Sequence, residues 1–240
     1  MMLKIGLIGY GQMGKVIENT ARNRGHEIVF IFDVNNRHEM TPESLKNADV
    51  AIEFTHPESA FENICACIEA GVPVVSGTTG WINQLDQVEI LCKKHQGGLF
   101  YASNFGLGVN LFFELNDRLA ELMSKYPQYA TRLEEIHHIR KADAPSGTAL
   151  SLLNQMIERI DRLQGWSDQL IPGQDEIQVT SIREGEVAGI HEIHYTSNED
   201  KITIRHEAFN RKGFATGAIL AAEFMPGKQG IFTMKDLLSI

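Results

Sequence analysis

The sequence is poor in cysteine, in positive charge and in long apolar runs. Of its 240 residues, 22 are Lys or Arg and 31 are Asp or Glu, so the formal net charge is −9. General nucleic-acid binders and peripheral proteins on anionic lipid are usually basic, so the charge argues against both classes. No stretch approaches the roughly 18 consecutive apolar residues that span a bilayer. The first residues also lack the basic segment and long apolar core of a signal peptide. We therefore expect no membrane partner and no nucleic-acid partner.

The three cysteines, Cys65, Cys67 and Cys92, form no disulfide framework. Three is an odd number, and the C-A-C spacing is neither the redox C-x-x-C motif nor a usual zinc-ligand pair. All three fall in segments with helical character. We interpret them as reduced packing residues of a cytoplasmic protein, and we expect no metal site.

The first hundred residues alternate buried strands with helices. Strand-like apolar runs lie at 3–8, 26–32, 49–54, 73–76 and 99–102, and helix-like segments lie at 15–24, 58–70 and 83–95. This alternation is typical of α/β proteins in which helices cover both faces of a parallel sheet. The pattern predicts a Rossmann-like, doubly wound parallel sheet.

After residue 107 the pattern changes. A long helical stretch at 108–126 precedes a strand-like segment at 131–141 and a helix from about 147 to 163. Three β-rich stretches follow at 177–183, 187–195 and 201–208, with turn signals between them. This predicts a second, α+β domain with a mixed or antiparallel sheet. One more helix at 214–224 leads to a short tail.

A glycine-rich turn follows the first strand and opens a helix, and it fits G-x-G-x-x-G with Gly9, Tyr10, Gly11, Gln12, Met13 and Gly14. An acid, Asp33, closes the next strand. In this context the motif indicates a dinucleotide site, where the pyrophosphate lies on N–H groups at the helix N-terminus. The alternative is a glycine-rich turn that binds nothing.

The sequence leaves the choice between NADH and NADPH open. Asp33 would accept hydrogen bonds from an adenosine ribose, which favours NAD. Arg37 could instead meet a 2′-phosphate, or it could be a solvated loop charge. Two further loops follow strands of the predicted sheet, and they contain Phe54 and Thr55 in one and Gly77, Thr78 and Thr79 in the other. Ligands of such sheets gather at the carboxyl ends of the strands, although either loop alone could be a simple turn.

A local concentration of positive charge interrupts this acidic sequence at residues 137–141. His137, His138, Arg140 and Lys141 lie within five residues and precede a turn and a helix. The helix N-terminus would carry Ser146, Gly147 and Thr148, whose N–H groups would form a second anion site suited to a carboxylate. The alternative is a solvent-facing basic strand that happens to precede a capped helix.

The remaining histidines give no metal pattern. His191 and His194 lie three apart on a predicted strand, hence on opposite faces, which argues against a shared metal ion. We interpret both, and His206, as surface or interface residues.

Residues 134–149 match a specific signature, E-x-x-H-H-x-x-K-x-D-A-P-S-G-T-A, from Glu134 (with Glu135) to Ala149. G-T-T-G stands at 77–80, and D-F-T-x-P stands at 53–57 with Glu53 in place of Asp. Residues 102–110 match A-x-N-F/M-S-x-G-V-N with Gly106 in place of Ser. Over essentially its whole length the sequence resembles the 4-hydroxy-tetrahydrodipicolinate reductase (dihydrodipicolinate reductase) family.

The resemblance implies an NADH- or NADPH-dependent oxidoreductase of lysine and diaminopimelate biosynthesis. It would reduce 4-hydroxy-tetrahydrodipicolinate to tetrahydrodipicolinate by hydride transfer, with loss of water. By position, His137 looks like the proton donor and Lys141 its partner, with their division of labour open. The substrate carboxylates would be bound by His138, Lys141, Ser146, Gly147 and Thr148. The resemblance adds Ala102, Asn104 and Phe105 to the cofactor contacts.

The resemblance also implies a domain organisation and an assembly. Residues 1–106 and 209–240 would form the dinucleotide-binding domain, and residues 107–208 the substrate-binding and oligomerisation domain. The family assembles as homotetramers through the sheet of the second domain. Two other hypotheses stay open: a different two-domain oxidoreductase acting on a small carboxylate, and a non-catalytic nucleotide-sensing module.

Overall fold

A computed structural model describes residues 1–210 and 212–240, and so leaves out Arg211 of the predicted 209–240 segment. The chain forms two compact units. One comprises Met1–Leu107 and Lys212–Ile240, and the other comprises Gly108–Arg211. The division of nucleotide and substrate binding between the two predicted domains stays a prediction.

The first unit is built on a six-stranded parallel sheet, which confirms the Rossmann-like expectation. Its strands are β1 (Lys4–Ile8), β2 (Glu27–Phe32), β3 (Val50–Glu53), β4 (Val74–Ser76), β5 (Gly98–Tyr101) and β11 (Gly230–Phe232). The strand order is β11-β5-β4-β3-β1-β2, with every neighbouring pair parallel. Its helices are α1 (Gln12–Asn23), α2 (Pro42–Leu45), α3 (Pro57–Glu69), α4 (Leu85–His95), α7 (Lys212–Phe224) and α8 (Met234–Leu238).

Alternating side chains of these strands build two separate cores, one on each face of the sheet. Val50 and Ile52 pack with α1 and α7, whereas Ala51 packs on the other face with α2, α3 and α4. Because both faces are covered, the strands read as continuous apolar runs rather than as alternating ones. Cys67 and Cys92 are free thiols buried in the second of these cores.

The second unit contains a mixed five-stranded sheet, as expected. Its strands are β6 (Ala130–His137), β7 (Gly165–Ser167), β8 (Glu176–Arg183), β9 (Gly189–Thr196) and β10 (Lys201–Ala208). The order is β10-β9-β6-β8-β7, with β6, β7 and β8 parallel and β9 antiparallel to both β6 and β10.

Helices pack on one face of this sheet. Helix α5 (Leu107–Met123) and helix α6 (Gly147–Arg159) share a core with Leu133, Ile193 and Tyr195. The opposite face carries polar and charged side chains, with Glu134 of β6 directly across from Glu192 of β9. Arg132 lies 2.6 Å from Glu134, and Arg205 pairs with Glu192, so each carboxylate of this like-charged pair has its own cation.

The sequence pattern does not predict several short elements. Strands β7 and β11 have three residues each, too few to display a period of two, and they are strands only through pairing with β8 and β5. The predicted strand 131–141 is wrong in its last four residues. Strand β6 ends at His137, and the chain then turns so that the N–H of Lys141 donates to the carbonyl of His138 at 3.1 Å.

No helix in the described part of the chain combines the length and apolarity of a membrane span.

Candidate functional site

A cavity of about 620 Å³ opens at the carboxyl ends of β1 to β4. It brings together twelve of the residues predicted to bind the dinucleotide. These are Gly9, Tyr10, Gly11, Gln12, Met13, Gly14, Asp33, Phe54, Thr55, Gly77, Thr78 and Thr79. Such a cavity is of the size that small-molecule and cofactor sites occupy.

Two of the three motif glycines have a steric reason, and the third stands at the open start of a helix. Gly9 has a positive φ of 97°, and a Cβ there would lie 2.0 Å from the carbonyl oxygen of Phe54. A Cβ at Gly14 would lie 2.3 Å from the carbonyl oxygen of Gly9. Gly11 is the N-cap of α1 and faces open space, without a side-chain cap or an acid in the first turn. The N–H groups at the start of this helix therefore suit an anionic ligand.

The buried carboxylate of Glu53 ties two loops of this cavity together. It accepts hydrogen bonds from Ser76 Oγ at 2.6 Å, from Thr78 Oγ1 at 2.9 Å and from the Thr55 N–H at 3.1 Å, and it also bonds the Thr55 hydroxyl. The N–H of Thr55 bonds Thr78 Oγ1 as well, at 2.8 Å. The sequence flagged Glu53 only as a departure from the family's Asp, and its structural role was missed.

Asp33 and Arg37 both line the cavity, and both already have partners. The N–H of Asn35 donates to Asp33 Oδ1 at 2.7 Å, which leaves that carboxylate with acceptor capacity. The guanidinium of Arg37 pairs with Glu62 of α3 at 2.8 Å. The Arg37 side chain is 41% exposed and that of Glu62 is 71% exposed, so the pair is weak, and another anion can replace Glu62 as the partner of Arg37.

Three predicted cofactor residues lie outside the lining of this cavity. Ala102 and Asn104 follow β5, and the Asn104 Oδ1 accepts a hydrogen bond from the N–H of Gly106. Phe105 is buried in the core, with its ring 5.7 Å from that of Phe54. Phe105 therefore supports a residue of the cavity, and the structure gives it packing as its visible role.

In the second unit, the basic residues at 137–141 have acidic partners of their own. Lys141 Nζ pairs with both oxygens of Asp143, at 2.7 and 2.8 Å. Arg140 makes a two-pronged pair with Glu186. These neighbours explain how an acidic chain holds a cationic cluster, and they leave Lys141, with 21% of its side chain exposed, as the more sheltered cation.

Helix α6 begins beside this cluster, and its N-terminus differs from the expectation in one respect. Ser146 is the N-cap, and its hydroxyl accepts a hydrogen bond from the N–H of Ala149. The Ser146 N–H donates to both oxygens of Glu135, at 3.2 and 3.1 Å. That amide, expected to face an anion, is therefore already engaged. Gly147 and Thr148 occupy the first turn, where N–H groups have no acceptor within the helix.

Glu135 is fully buried at the centre of a network that the sequence did not reveal. Its Oε2 lies 3.5 Å from His137 Nδ1 and 3.7 Å from His191 Nε2, and its Oε1 lies 3.3 Å from Arg183. Burial by itself would raise the pKa of Glu135. Hydrogen bonding with His191, Ser146 and Ser181 outweighs burial and holds the pKa well below its usual range.

His137 is buried, and burial lowers its pKa to about 4. The Glu135 carboxylate opposes this shift, whereas His191, Lys141 and Arg183 add to it. His137 is therefore a neutral imidazole at pH 7 in this state of the protein.

The interpretation of His191 as a surface or interface residue is wrong. Its side chain is buried, its ring lies 5.0 Å from that of His137, and its Nε2 lies 3.2 Å from Ser146 Oγ. His191 and His194 do face opposite sides of β9, as the spacing predicts. His194 contacts Thr203 on the other face.

Arg183 fastens the loop between β6 and α6. Its guanidinium donates to the carbonyls of Lys141 at 3.2 Å and Asp143 at 2.5 Å, besides its contact with Glu135. Glu135, His137 and His191 lie close enough to share a metal ion. The Arg183 guanidinium and the Ser146 amide already match the charge and the acceptors of the carboxylate, so the group fits a hydrogen-bonded network better.

Comparison with known proteins covers almost the whole chain. Residues 3–105 match the family model of the dihydrodipicolinate reductase N-terminus, and residues 108–238 match that of its C-terminus. A 4-hydroxy-tetrahydrodipicolinate reductase of Christiangramia forsetii is 47% identical over 239 residues, which cover 99% of this chain and 98% of that protein. One of Chromobacterium violaceum is 35% identical over 205 residues, covering 82% of this chain and 76% of that protein.

A solved structure agrees with the sequence comparisons. The dipicolinate-bound dihydrodipicolinate reductase from Paenisporosarcina sp. TG-14 superposes with a TM-score of 0.78 at 25% identity, covering 97% of this chain and 98% of that one. Both halves of the chain match the family, and the first unit has the Rossmann-like fold of a nucleotide-binding domain. The chain therefore belongs to the dihydrodipicolinate reductase family.

Proposed function

We propose that this protein reduces 4-hydroxy-tetrahydrodipicolinate to tetrahydrodipicolinate, with loss of water, in lysine and diaminopimelate biosynthesis. Family membership supports the reaction. The structural observation that carries it is the His137–Lys141 cluster beside the uncapped N–H groups of Gly147 and Thr148, in a chain that also has a dinucleotide cavity. Together these features supply a place for a dicarboxylate and a place for a reductant.

The cavity of the first unit would hold NADH or NADPH, whose reduced nicotinamide supplies the hydride when bound. The N–H groups at the start of α1 would bind the pyrophosphate. Asp33 would accept from the adenosine ribose, and Arg37, released from Glu62, would bind a 2′-phosphate. We expect use of both cofactors, because the acid and the cation both line the cavity. Phe54, Thr55, Gly77, Thr78 and Thr79 would contact the nicotinamide half. Ala102 and Asn104 would complete this end, with Phe105 supporting it through its packing with Phe54.

The substrate carboxylates would be bound by His138, Lys141 and the N–H groups of Gly147 and Thr148, with Ser146 holding the helix start in place. Charge-assisted hydrogen bonds of this kind are short and directional. The reduction consumes a hydride and a proton. His137 would give the proton after the negative substrate has raised its pKa, and Lys141 Nζ would stabilise charge that develops on the ring nitrogen.

The polar sheet face of the second unit is our candidate for assembly into a homotetramer. Residues Arg132, Glu134, Glu192 and Arg205 form alternating charges on the face opposite α5 and α6. Such a self-complementary pattern suits pairing with a second copy of the same face. We propose that Gly108–Arg211 binds substrate and mediates assembly, and that the other unit binds the cofactor. Three free thiols suit the reducing cytoplasm, where we place the protein.

A direct assay tests the reaction. Purified protein receives the condensation product of pyruvate and aspartate semialdehyde with NADH or NADPH, and absorbance at about 340 nm reports nicotinamide oxidation. We expect oxidation that depends on the condensation product. Absence of oxidation with either cofactor would overturn the proposal. Oxidation with pyruvate or an amino acid instead would identify a different two-domain oxidoreductase. Comparing kcat/KM for the two cofactors then settles the preference.

A further inference from the structure

Glu135 is buried beside His137, and the proposed reaction gives it no role. No part of its side chain reaches solvent, yet it lies in the same strand as the proposed proton donor, two residues away. A buried carboxylate is costly unless its charge is matched. Its contacts to Ser146 and Arg183 provide that match, so the charge is maintained where it faces His137.

The position of this carboxylate decides which nitrogen of His137 carries the proton. A neutral imidazole has one N–H donor and one lone pair. His137 Nδ1 is buried, has no hydrogen-bond partner within normal distance among the described residues, and lies 3.5 Å from Glu135 Oε2. A lone pair on Nδ1 would face the carboxylate oxygen and be repelled, whereas an N–H there is attracted. A carboxylate or carbonyl behind one ring nitrogen commonly fixes the tautomer in this way.

We propose that Glu135 is a positioning residue that fixes His137 in the Nδ1–H tautomer and so directs Nε2 to the proton transfer. The role of His137 in proton transfer rests on the proposed function, whereas the tautomer of its ring does not. In the resting ring, Nε2 is an acceptor. After it binds a proton, the ring carries both protons, the carboxylate stabilises the cation, and Nε2–H can release its proton to the substrate. The ring then returns to the neutral Nδ1–H form.

Among the described residues, Glu135 is the anion that acts on His137. From β9 it is faced by His191, from β8 by Arg183 and from the following loop by Lys141. All three of these neighbours disfavour a positive charge on His137, and only Glu135 favours it. Nε2 lies beside Gly189, and because glycine has no side chain, the position 3.2 Å from Nε2 that a Cβ would occupy stays open.

The test is the tautomer, read by long-range ¹H–¹⁵N correlation on protein labelled in histidine, with His137→Asn to assign the signal. At pH 7.5 we expect the wild-type ring to carry its proton on Nδ1. Glu135→Gln should give a mixture of tautomers or Nε2–H, Glu135→Asp should restore Nδ1–H, and Glu158→Gln, an exposed carboxylate on α6, should change nothing. A wild-type ring protonated on Nε2 overturns the proposal without any variant, so misfolding of Glu135→Gln cannot protect it.

A kinetic measurement separates positioning from a merely structural role. Glu135→Gln should lower the titration midpoint of His137 and lower kcat at pH 7 at least tenfold, while KM for the reduced nucleotide stays within twofold. Partial recovery of kcat in Glu135→Asp is expected. If Glu135→Gln lowers the yield of folded protein but leaves the His137 titration of the folded fraction unchanged, Glu135 has a structural role alone. If the wild-type protein reduces no substrate but shows the Nδ1–H ring, the proposed function fails and the tautomer assignment stands.

Discussion

The carboxylate of Glu53 accepts a hydrogen bond from the Thr78 hydroxyl at 2.9 Å, which joins the end of β3 to the loop after β4. Thr55, in the loop after β3, bonds both of these groups. The two loops that line the middle of the nucleotide cavity are therefore held by one buried acid. Their spacing is a property of Glu53 and its donors rather than of either loop alone.

Replacing Glu53 should therefore weaken cofactor binding. In Glu53→Gln one acceptor oxygen becomes a donor, so at least one of the four bonds to the carboxylate is lost. Bonds to charged groups contribute about 1.5–3 kcal/mol each. We expect KM for NADH or NADPH to rise about tenfold or more, with a lower Tm. Steady-state kinetics and thermal melts measure both, with Glu69→Gln, an exposed acid at the end of α3, as control. An unchanged KM would show that the loops keep their spacing without the carboxylate.

Local sequence predicted which residues would gather at the cavity of the first unit, because each of its parts is local. The glycines at 9, 11 and 14 lie in one turn, and the other loops follow strands whose order the parallel pattern sets. The network around Glu135 could not be predicted in this way. Strand register places Glu135 opposite His191 and His137 opposite Arg183, although these partners are 56 and 46 residues apart in sequence. Alternation showed which face each residue would take, but not which residue it would meet.

Removing Lys141 should separate catalysis from cofactor binding. The nucleotide cavity is lined by residues of the first unit, and Lys141 lies in the second. We expect Lys141→Ala to lower kcat about 100- to 1,000-fold, the range expected for losing one charge-stabilising or proton-transferring group. Fluorescence titration should give a Kd for NADH within twofold of wild type, as should the exposed-site control Lys94→Ala. Equal losses in kcat and in NADH affinity would refute the assignment of Lys141 to the substrate.

The lowered pKa of His137 should make the free energy of unfolding decrease in mild acid. Its pKa is about 4 in the folded protein and near 6.5 in an unfolded chain, so the unfolded chain takes up the proton first as the pH falls. The stability that the neutral imidazole contributes is fully present above about pH 6.5. It is lost as the pH falls toward about 4, which lowers the free energy of unfolding by about 3 kcal/mol. Urea unfolding at pH 7, 6 and 5 measures the loss. His137→Asn should flatten the dependence, and the exposed-site variant His38→Asn should not. Equal slopes in all three proteins would contradict the shifted pKa.

A change on the polar sheet face should disrupt assembly without unfolding the protein. Light scattering on the eluting wild-type protein should give four times the chain mass of 26.8 kDa. Arg205→Glu would set a third carboxylate beside Glu192 and Glu207, its present partners, and should yield smaller species. Arg118→Glu, on the exposed side of α5, is the matched control and should leave the mass unchanged. A wild-type monomer would dismiss this face as an interface.

The N-terminus of α6 offers a way to delete one proposed anion donor at a time. Gly147 is the first residue of the helix, a position that accepts proline, and Ser146 before it has the extended backbone that proline requires. Gly147→Pro therefore removes one N–H and leaves the helix intact. Gly147→Ala keeps the N–H, and its Cβ would meet nothing within 4 Å.

We expect pyridine-2,6-dicarboxylate to inhibit competitively with the substrate. Its inhibition constant should rise about tenfold in Gly147→Pro, as for the loss of one charge-assisted bond, and stay within twofold in Gly147→Ala. Thr148→Val, which keeps its N–H, should resemble Gly147→Ala. If Thr148→Val abolishes binding while Gly147→Pro does not, the carboxylate is held by the hydroxyl of Thr148 rather than by the end of the helix.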